Sequence, residues 1–239
     1  MPHVHTETEN QTKEIINMYQ IAIDGPSGAG KSTVAKALSK KLGCIYVDTG
    51  AMYRTIGLYV YEKGISRNDT NAVADCLKDI HIDIKYEDDV QKMILNGRDV
   101  TPYIRTQEIS MYASAVSAIP LVRSFLMDTQ RNFAKENNVV MDGRDIGTVI
   151  FPNATVKIFL TSSPEARAMR RFKELTAKGE HVDYETILAQ TIERDRNDSS
   201  RSVAPAVAAC DAIILDNSDM DVEQTVNAVY SIVTEKLGN

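Results

Sequence analysis

Five short apolar runs punctuate the chain: Tyr19–Ile23, Cys44–Val47, Val139–Met141, Val156–Leu160 and Ala212–Leu215, each bounded by turn or capping residues. Runs this short and this continuously apolar predict strands buried on both faces. Between them the period lengthens to that of a helix. Ser32–Leu42 places Val34, Ala35, Leu38 and Leu42 on one face, and Pro120–Lys135 does the same with Val122, Phe125, Leu126 and Phe133. Val222–Leu237 closes the chain with Val226, Val229, Tyr230 and Val233. Strand alternating with helix predicts an α/β fold with a parallel five-stranded core sheet and helices on both faces.

One stretch breaks the rhythm. His81–Lys85 alternates polar and apolar residues, and Met93–Leu95 is followed by Asn96-Gly97 and then Arg98–Val100. Asn-Gly suits the two positive-φ positions of a tight hairpin turn. A small antiparallel subdomain, inserted over about 55–118, is therefore expected. Residues 1–17 are polar and predict a mobile tail ahead of a single domain over 18–239, its ordered fold starting near Tyr19. Metal binding by His3 and His5 of that tail is the lesser reading.

Composition narrows the class. The 239 residues, with 43% apolar and 25% charged side chains, suit an ordinary globular chain of one large domain or two small ones. No apolar stretch reaches the ~18–20 residues that span a bilayer, and the N-terminus lacks the basic and apolar regions of a secretory signal. Cys44, Cys76 and Cys210 are odd in number and contain no CxxC pair, which points to a reducing, cytoplasmic setting. A net charge of −6 argues against a nucleic-acid partner.

The strongest chemical signal is Gly25-Pro26-Ser27-Gly28-Ala29-Gly30-Lys31-Ser32, followed by Thr33, which fits G-x-x-x-x-G-K-[ST] between an apolar strand and a helix. Glycines let successive N–H groups point at a polyphosphate, and the helix start adds unpaired donors and partial positive charge. Lys31 is placed to bridge the β- and γ-phosphates, and the Ser32 hydroxyl suits Mg²⁺. The arginines discriminate further. Seven of the thirteen fall between Arg144 and Arg201, several interleaved with carboxylates. Such a set suits a site holding two phosphorylated molecules together, because Arg offers a planar fork to phosphate oxygens. Arg167, Arg170 and Arg171 also read as a solvated helix face paired with residues such as Glu174.

Three further segments carry a resemblance: Asp48-Thr49-Gly50-Ala51-Met52-Tyr53-Arg54, Asp142-Gly143-Arg144-Asp145-Ile146-Gly147-Thr148, and Arg194-Asp195-x-x-Asp198-x-x-Arg201 with Pro205 after it. With the phosphate loop, and with Ile104–Glu108, they resemble the bacterial cytidylate (CMP) kinase family from about Tyr19 to the C-terminus. Ala206 stands where that pattern suggests leucine. The resemblance implies an ATP:CMP phosphotransferase of the P-loop nucleoside-monophosphate-kinase fold, with a monophosphate-binding insertion and a short lid over about 164–185. It implies ATP and CMP or dCMP as partners and a monomeric chain.

Carried over by position, Thr49, Tyr53, Arg54 and Arg144 match residues near the acceptor phosphate. Ser114, Arg123 and Asp145 match those reading the cytosine edge, and Arg194 and Asp198 match ribose contacts. Arg201 matches an arginine reaching toward the phosphates, while Arg167, Arg170 and Arg171 would lie at the lid beside ATP. Lys31, Arg144, Arg194 and Arg201 are the catalytic candidates, with Ser32 and Asp142 the candidates for Mg²⁺. His81 and His181 are poor candidates for catalysis. Two other classes stay open from the residues alone: a P-loop kinase with another acceptor, such as uridylate, adenylate or shikimate, and a nucleotide switch or nucleic-acid-dependent ATPase.

Overall fold

In the computed structural model, residues 18–88 and 90–238 are described. The expected tail 1–17, with His3 and His5, lies outside them. Five parallel strands form the core sheet: β1 (Gln20–Asp24), β2 (Ile45–Asp48), β6 (Val139–Asp142), β7 (Val156–Thr161) and β8 (Ile213–Asp216), in the order β2-β6-β1-β7-β8. Pairing puts Ile23 beside Asp142 and Asp24 beside Phe159. The apolar runs located all five, but each strand extends one residue further than the run. The last residue is Asp24, Asp48, Asp142, Thr161 or Asp216. A polar or charged residue ends an apolar run, whereas backbone pairing continues through it.

Strand alternation splits the core in two. Ile21, Ile23, Val140 and Ile158 face α1 (Lys31–Leu42) and α8 (Val222–Leu237), where Val34, Leu38, Val229 and Val233 are buried. Ala22, Val47 and Met141 face the opposite side, with Met52 and Ile56 of α2 (Thr49–Glu62), Ile109 of α4 (Gln107–Val116) and Val122 and Leu126 of α5 (Pro120–Phe133). α1 begins at Gly30 and ends at Gly43, both left-handed, and the Gly43 N–H donates to the Ser39 carbonyl. Pro120 opens α5 at the position where its missing N–H is no loss. α2 and α4 approach closely at Gly57 of α2. A Cβ there would lie 2.9 Å from the Ala113 nitrogen of α4, so a side chain would push the two helices apart.

Between α2 and α4 come α3 (Thr70–Cys76) and a three-stranded antiparallel sheet of β3 (Ile82–Glu87), β4 (Val90–Leu95) and β5 (Arg98–Asp99). Asn96 and Gly97 turn β4 into β5 with φ of 48° and 83°, so the Asn-Gly expectation holds. Met93 and Leu95 pack into the same cluster as Val47 and Met141, which docks this sheet beside β2. Beyond β7, α6 (Pro164–Ala177) and α7 (Tyr184–Ser199) form a helical hairpin with a small apolar cluster of its own, Ala168, Leu175 and Ile187. The expected lid range of about 164–185 takes in α6 and the start of α7, which continues to Ser199.

Candidate active site

Every core strand delivers its C-terminal residue toward one edge of the sheet, the usual ligand edge of an open α/β sheet. Gly25 follows β1 with φ 143°, and a Cβ there would sit 2.0 Å from the Leu160 carbonyl oxygen. Only glycine lets the chain turn so tightly against β7. No side chain caps the N-terminus of α1, so its first N–H groups face the loop undirected by a carboxylate. Lys31 is buried and donates to the Pro26 carbonyl at 2.6 Å, folded along the loop it belongs to.

Beside this loop lies a cleft of about 310 Å³. Ser27, Gly28, Gly30, Lys31, Ser32 and Thr33 line one wall; Thr49, Tyr53, Arg54, Ser114, Arg123, Asp142, Arg144, Asp145, Arg194, Asp198 and Arg201 line the rest. The structure thus brings every expected acceptor-side residue to one cavity. Gly25, Pro26 and Ala29 support the loop from outside that wall.

The guanidinium groups are held in place by carboxylates. Asp198 accepts from Arg144 at 3.1 Å and from Arg201 at 2.7 Å. Arg201 also reaches the Ser114 and Ser117 hydroxyls, each at 3.2 Å. Arg123 and Asp145 are both buried and bonded directly to one another, and Arg123 also donates to the Ser117 carbonyl at 3.1 Å. Asp145 therefore meets Arg123, and Ser114 meets Arg201, as partners within the protein. Burial raises the Asp145 pKa, against the pull of Arg123. At Asp198 the balance reverses: burial pushes up, but Arg144 and Arg201 hold the carboxyl below its ordinary value.

The cationic side is crowded. Burial, and then repulsion from Arg144, holds Lys31 well below its ordinary pKa. The same two causes bring Arg194 down to about 10, and its buried Nε lacks a hydrogen-bond partner. Cations confined this close to one another favour an anion between them.

Ser32 and Asp142 meet as expected: the Ser32 hydroxyl donates to Asp142 Oδ2 at 2.8 Å. Asp142 Oδ1 accepts from Tyr46 at 2.8 Å, and the Thr49 hydroxyl donates to the Asp142 carbonyl at 2.7 Å. Asp142 does not cap the Gly143 turn. Among the described residues no group of three or more His, Cys, Asp or Glu could hold a metal by itself. Two hard oxygens from Ser32 and Asp142 fit Mg²⁺ of the kind that keeps waters and takes its other ligands from phosphates.

None of the three arginines expected at the lid lines this cleft. Arg167 is buried and lies against the phosphate loop, donating to the Ser27 carbonyl at 3.0 Å and pairing with Asp195 of α7. Arg170 donates to the Asn217 carbonyl at 2.6 Å, and exposed Arg171 pairs with Glu174 at 2.9 Å. The helix-face reading fits Arg171, whereas Arg167 is a prop beneath the loop. An i, i+3 charge pattern does not separate these cases, because the decisive partners, Ser27 and Asp195, are distant in sequence.

Three residues to which the sequence assigned no individual role shape the site. Asp24 is buried and accepts from the Ile146 and Gly147 N–H groups at 2.8 and 2.7 Å, fixing the wide π-type turn Ile146–Ile150 beside Asp145. Tyr46 orients Asp142, and Asp48 binds Arg105 at 2.7 Å while capping α2. The available signal was their position: each lies within two residues of the end of an apolar run.

The comparisons agree with this geometry. A family model described as cytidylate kinase matches residues 21–235. Cytidylate kinase of Caldicellulosiruptor saccharolyticus is 48% identical over 219 residues, covering 92% of this chain and 97% of that protein. Cytidylate kinase of Fervidobacterium nodosum is 48% identical over 91% of this chain and 97% of its own length. That of Ligilactobacillus salivarius is 45% identical over 93% and 99%. With its phosphate loop, its paired arginines and this match along nearly its whole length, the chain belongs to the cytidylate kinase family.

Proposed function

We propose that the protein transfers the γ-phosphoryl group of ATP to CMP and dCMP, giving ADP and CDP or dCDP, in pyrimidine nucleotide metabolism. The observation that carries this reading is the meeting, in one cleft, of a main-chain phosphate cradle with a cluster of carboxylate-braced arginines. Two anions brought together repel. Arg144, Arg194 and Arg201 offset that repulsion and stabilise charge spread over the moving phosphoryl group.

Transfer is direct and in line. The acceptor is an anionic phosphate oxygen, so no strong general base is needed, and positioning with charge neutralisation supplies the catalysis. Main-chain amides of Gly28–Thr33 and the Lys31 ammonium hold the donor phosphates. Thr49, Tyr53, Arg54 and Arg144 hold the acceptor phosphate, and Arg194 and Asp198 the sugar. When bound, Mg²⁺ supplies charge neutralisation at the phosphate oxygens, held through Ser32 and Asp142. Arg167 acts by supporting the loop, and Arg170 and Arg171 flank the donor side as part of a lid, α6–α7, that closes over the phosphates and excludes water.

Base selection follows from donors and acceptors. Cytosine presents a 4-amino donor beside N3 and O2 acceptors. Asp145 and the Ser114 hydroxyl accept from the amino group, and Arg123 donates to N3 and O2. The Arg123–Asp145 pair then opens into a fork that grips the base. Uracil would set its O4 acceptor against those acceptors, and a mismatch of this kind lowers kcat/KM by orders of magnitude. Use of ATP and the free thiols of Cys44, Cys76 and Cys210 support a cytoplasmic setting.

The test is an acceptor panel. With labelled ATP and Mg²⁺, CMP and dCMP should be phosphorylated far more efficiently than UMP or AMP. Equal use of AMP would remove the cytosine assignment.

A further inference from the structure

β2 is an outer strand of the core sheet, bonded to β6 on one side only. Its other edge carries the Tyr46 carbonyl and both backbone groups of Asp48. The inserted sheet lies against that edge without adding a strand to it. Side chains make the junction instead. The Tyr86 hydroxyl donates to the Tyr46 carbonyl at 2.9 Å. Gln91 of β4 accepts from the Asp48 N–H at 2.7 Å through Oε1 and donates from Nε2 to the Asp48 carbonyl at 3.2 Å.

A carboxamide is the one ionisation-free side chain that offers an acceptor and a donor in the fork a single residue's N–H and C=O require. The residue so clamped is a hub. Asp48 Oδ1 accepts the Ala51 N–H at 2.9 Å, starting α2, and Oδ2 accepts from Arg105 at 2.7 Å. Arg54, which lines the cleft, lies 4.0 Å from the same carboxylate. The space is tight: a Cβ at Gly50 would come within 3.0 Å of Arg54 Nη1 and 3.2 Å of Asp48 Oδ1. A shift of Asp48 therefore moves the start of α2 and the Arg54 guanidinium together.

We propose that Gln91 is a positioning residue for the acceptor nucleotide: its two-point grip on the Asp48 backbone couples the inserted sheet to the Asp48–Arg54 phosphate site. The inference rests on the acceptor reading above and extends it to a residue outside the cleft. It acts on the acceptor side alone, since Gln91 touches nothing of the phosphate loop.

Gln91→Ala removes both bonds and should raise KM for CMP roughly 10-fold, with KM for ATP within about twofold of wild type. Gln91→Glu keeps the shape but as a carboxylate sets an acceptor against the Asp48 carbonyl. Protonation restores the missing donor. Normalised to wild type at each pH, its KM for CMP should be raised at least as much at pH 8 and should return toward unity as pH falls to about 5.5. Amide exchange at Asp48 should accelerate in Gln91→Ala with no nucleotide present. A wild-type KM for CMP in Gln91→Ala, a parallel rise in KM for ATP, or a Gln91→Glu ratio flat with pH would each overturn the proposal. If wild type fails to phosphorylate CMP, the acceptor assignment falls. Accelerated Asp48 exchange would then still support the clamp, and unchanged exchange would overturn it.

Discussion

The two walls of the cleft are built by opposite means. The phosphate loop is one contiguous stretch, Gly25–Ser32, that presents main-chain groups and depends on glycine conformations. The facing wall gathers side chains from separate segments: α2 after β2, the end of β6 and the turn after it, α4, α5, and α7 with the residues just beyond it. Main-chain donors are fixed once the loop is folded. Long arginines are not, and most here are held by a carboxylate: Asp198 for Arg144 and Arg201, Asp145 for Arg123, Asp48 for Arg105. The lesson is that a backbone site is robust to most single substitutions outside its glycines and lysine, whereas the guanidinium wall behaves as a network in which removing one member loosens its neighbours.

Substitutions can break this contrast in graded steps. Lys31→Ala removes the one side-chain cation of the loop and should lower kcat by about 10³-fold, with the fold retained by circular dichroism. Asp145→Ala should weaken CMP by roughly 10²-fold while leaving ATP affinity near wild type, because Arg123 is left buried and unpaired on the base-reading side. Equal losses for both nucleotides in a titration would contradict the division into two walls. Arg201→Ala should lower kcat at least ~10-fold; it loses a charge contact, but Arg144 and Arg194 remain.

The smallest effect concerns stability. Burial raises the Asp24 pKa to about 6, even though two N–H donors pull it down. The native chain thus holds this proton to higher pH than the unfolded chain. Its contribution is complete below about pH 4, falls as pH rises toward about 6, and stays lost above, a change on the order of 3 kcal/mol. Asp24→Asn should flatten that part of the pH dependence of Tm. An unchanged slope would show that Asp24 does not titrate in this range.

Legibility in the sequence followed locality. The five core strands, the Asn-Gly hairpin, the helices beginning near Ser32 and at Pro120 and the whole phosphate loop depend on neighbours in sequence, and all were readable. α2 was not, because Thr49–Glu62 is apolar nearly all round and shows no clean stripe. The arginines of the facing wall were identifiable through a family pattern, but their partners were not. Nothing near Arg167 in the chain announces that it will brace Ser27 from 140 residues away. Asp24, Tyr46 and Gln91 act through backbone groups or through another side chain, and such roles leave no mark on periodicity.

The position of β1 in the middle of the sheet gives the molecule a map. To one side lie β6 and β2, which end in Asp142 and Asp48; to the other lie β7 and β8, which lead to Ser162 and Asn217. In the proposed reading, crossing the carboxyl edge from β2 toward β7 leads from the acceptor nucleotide toward the donor, with α1 and its loop between them. A variant's column in that five-strand ruler forecasts which of the two Michaelis constants it will disturb.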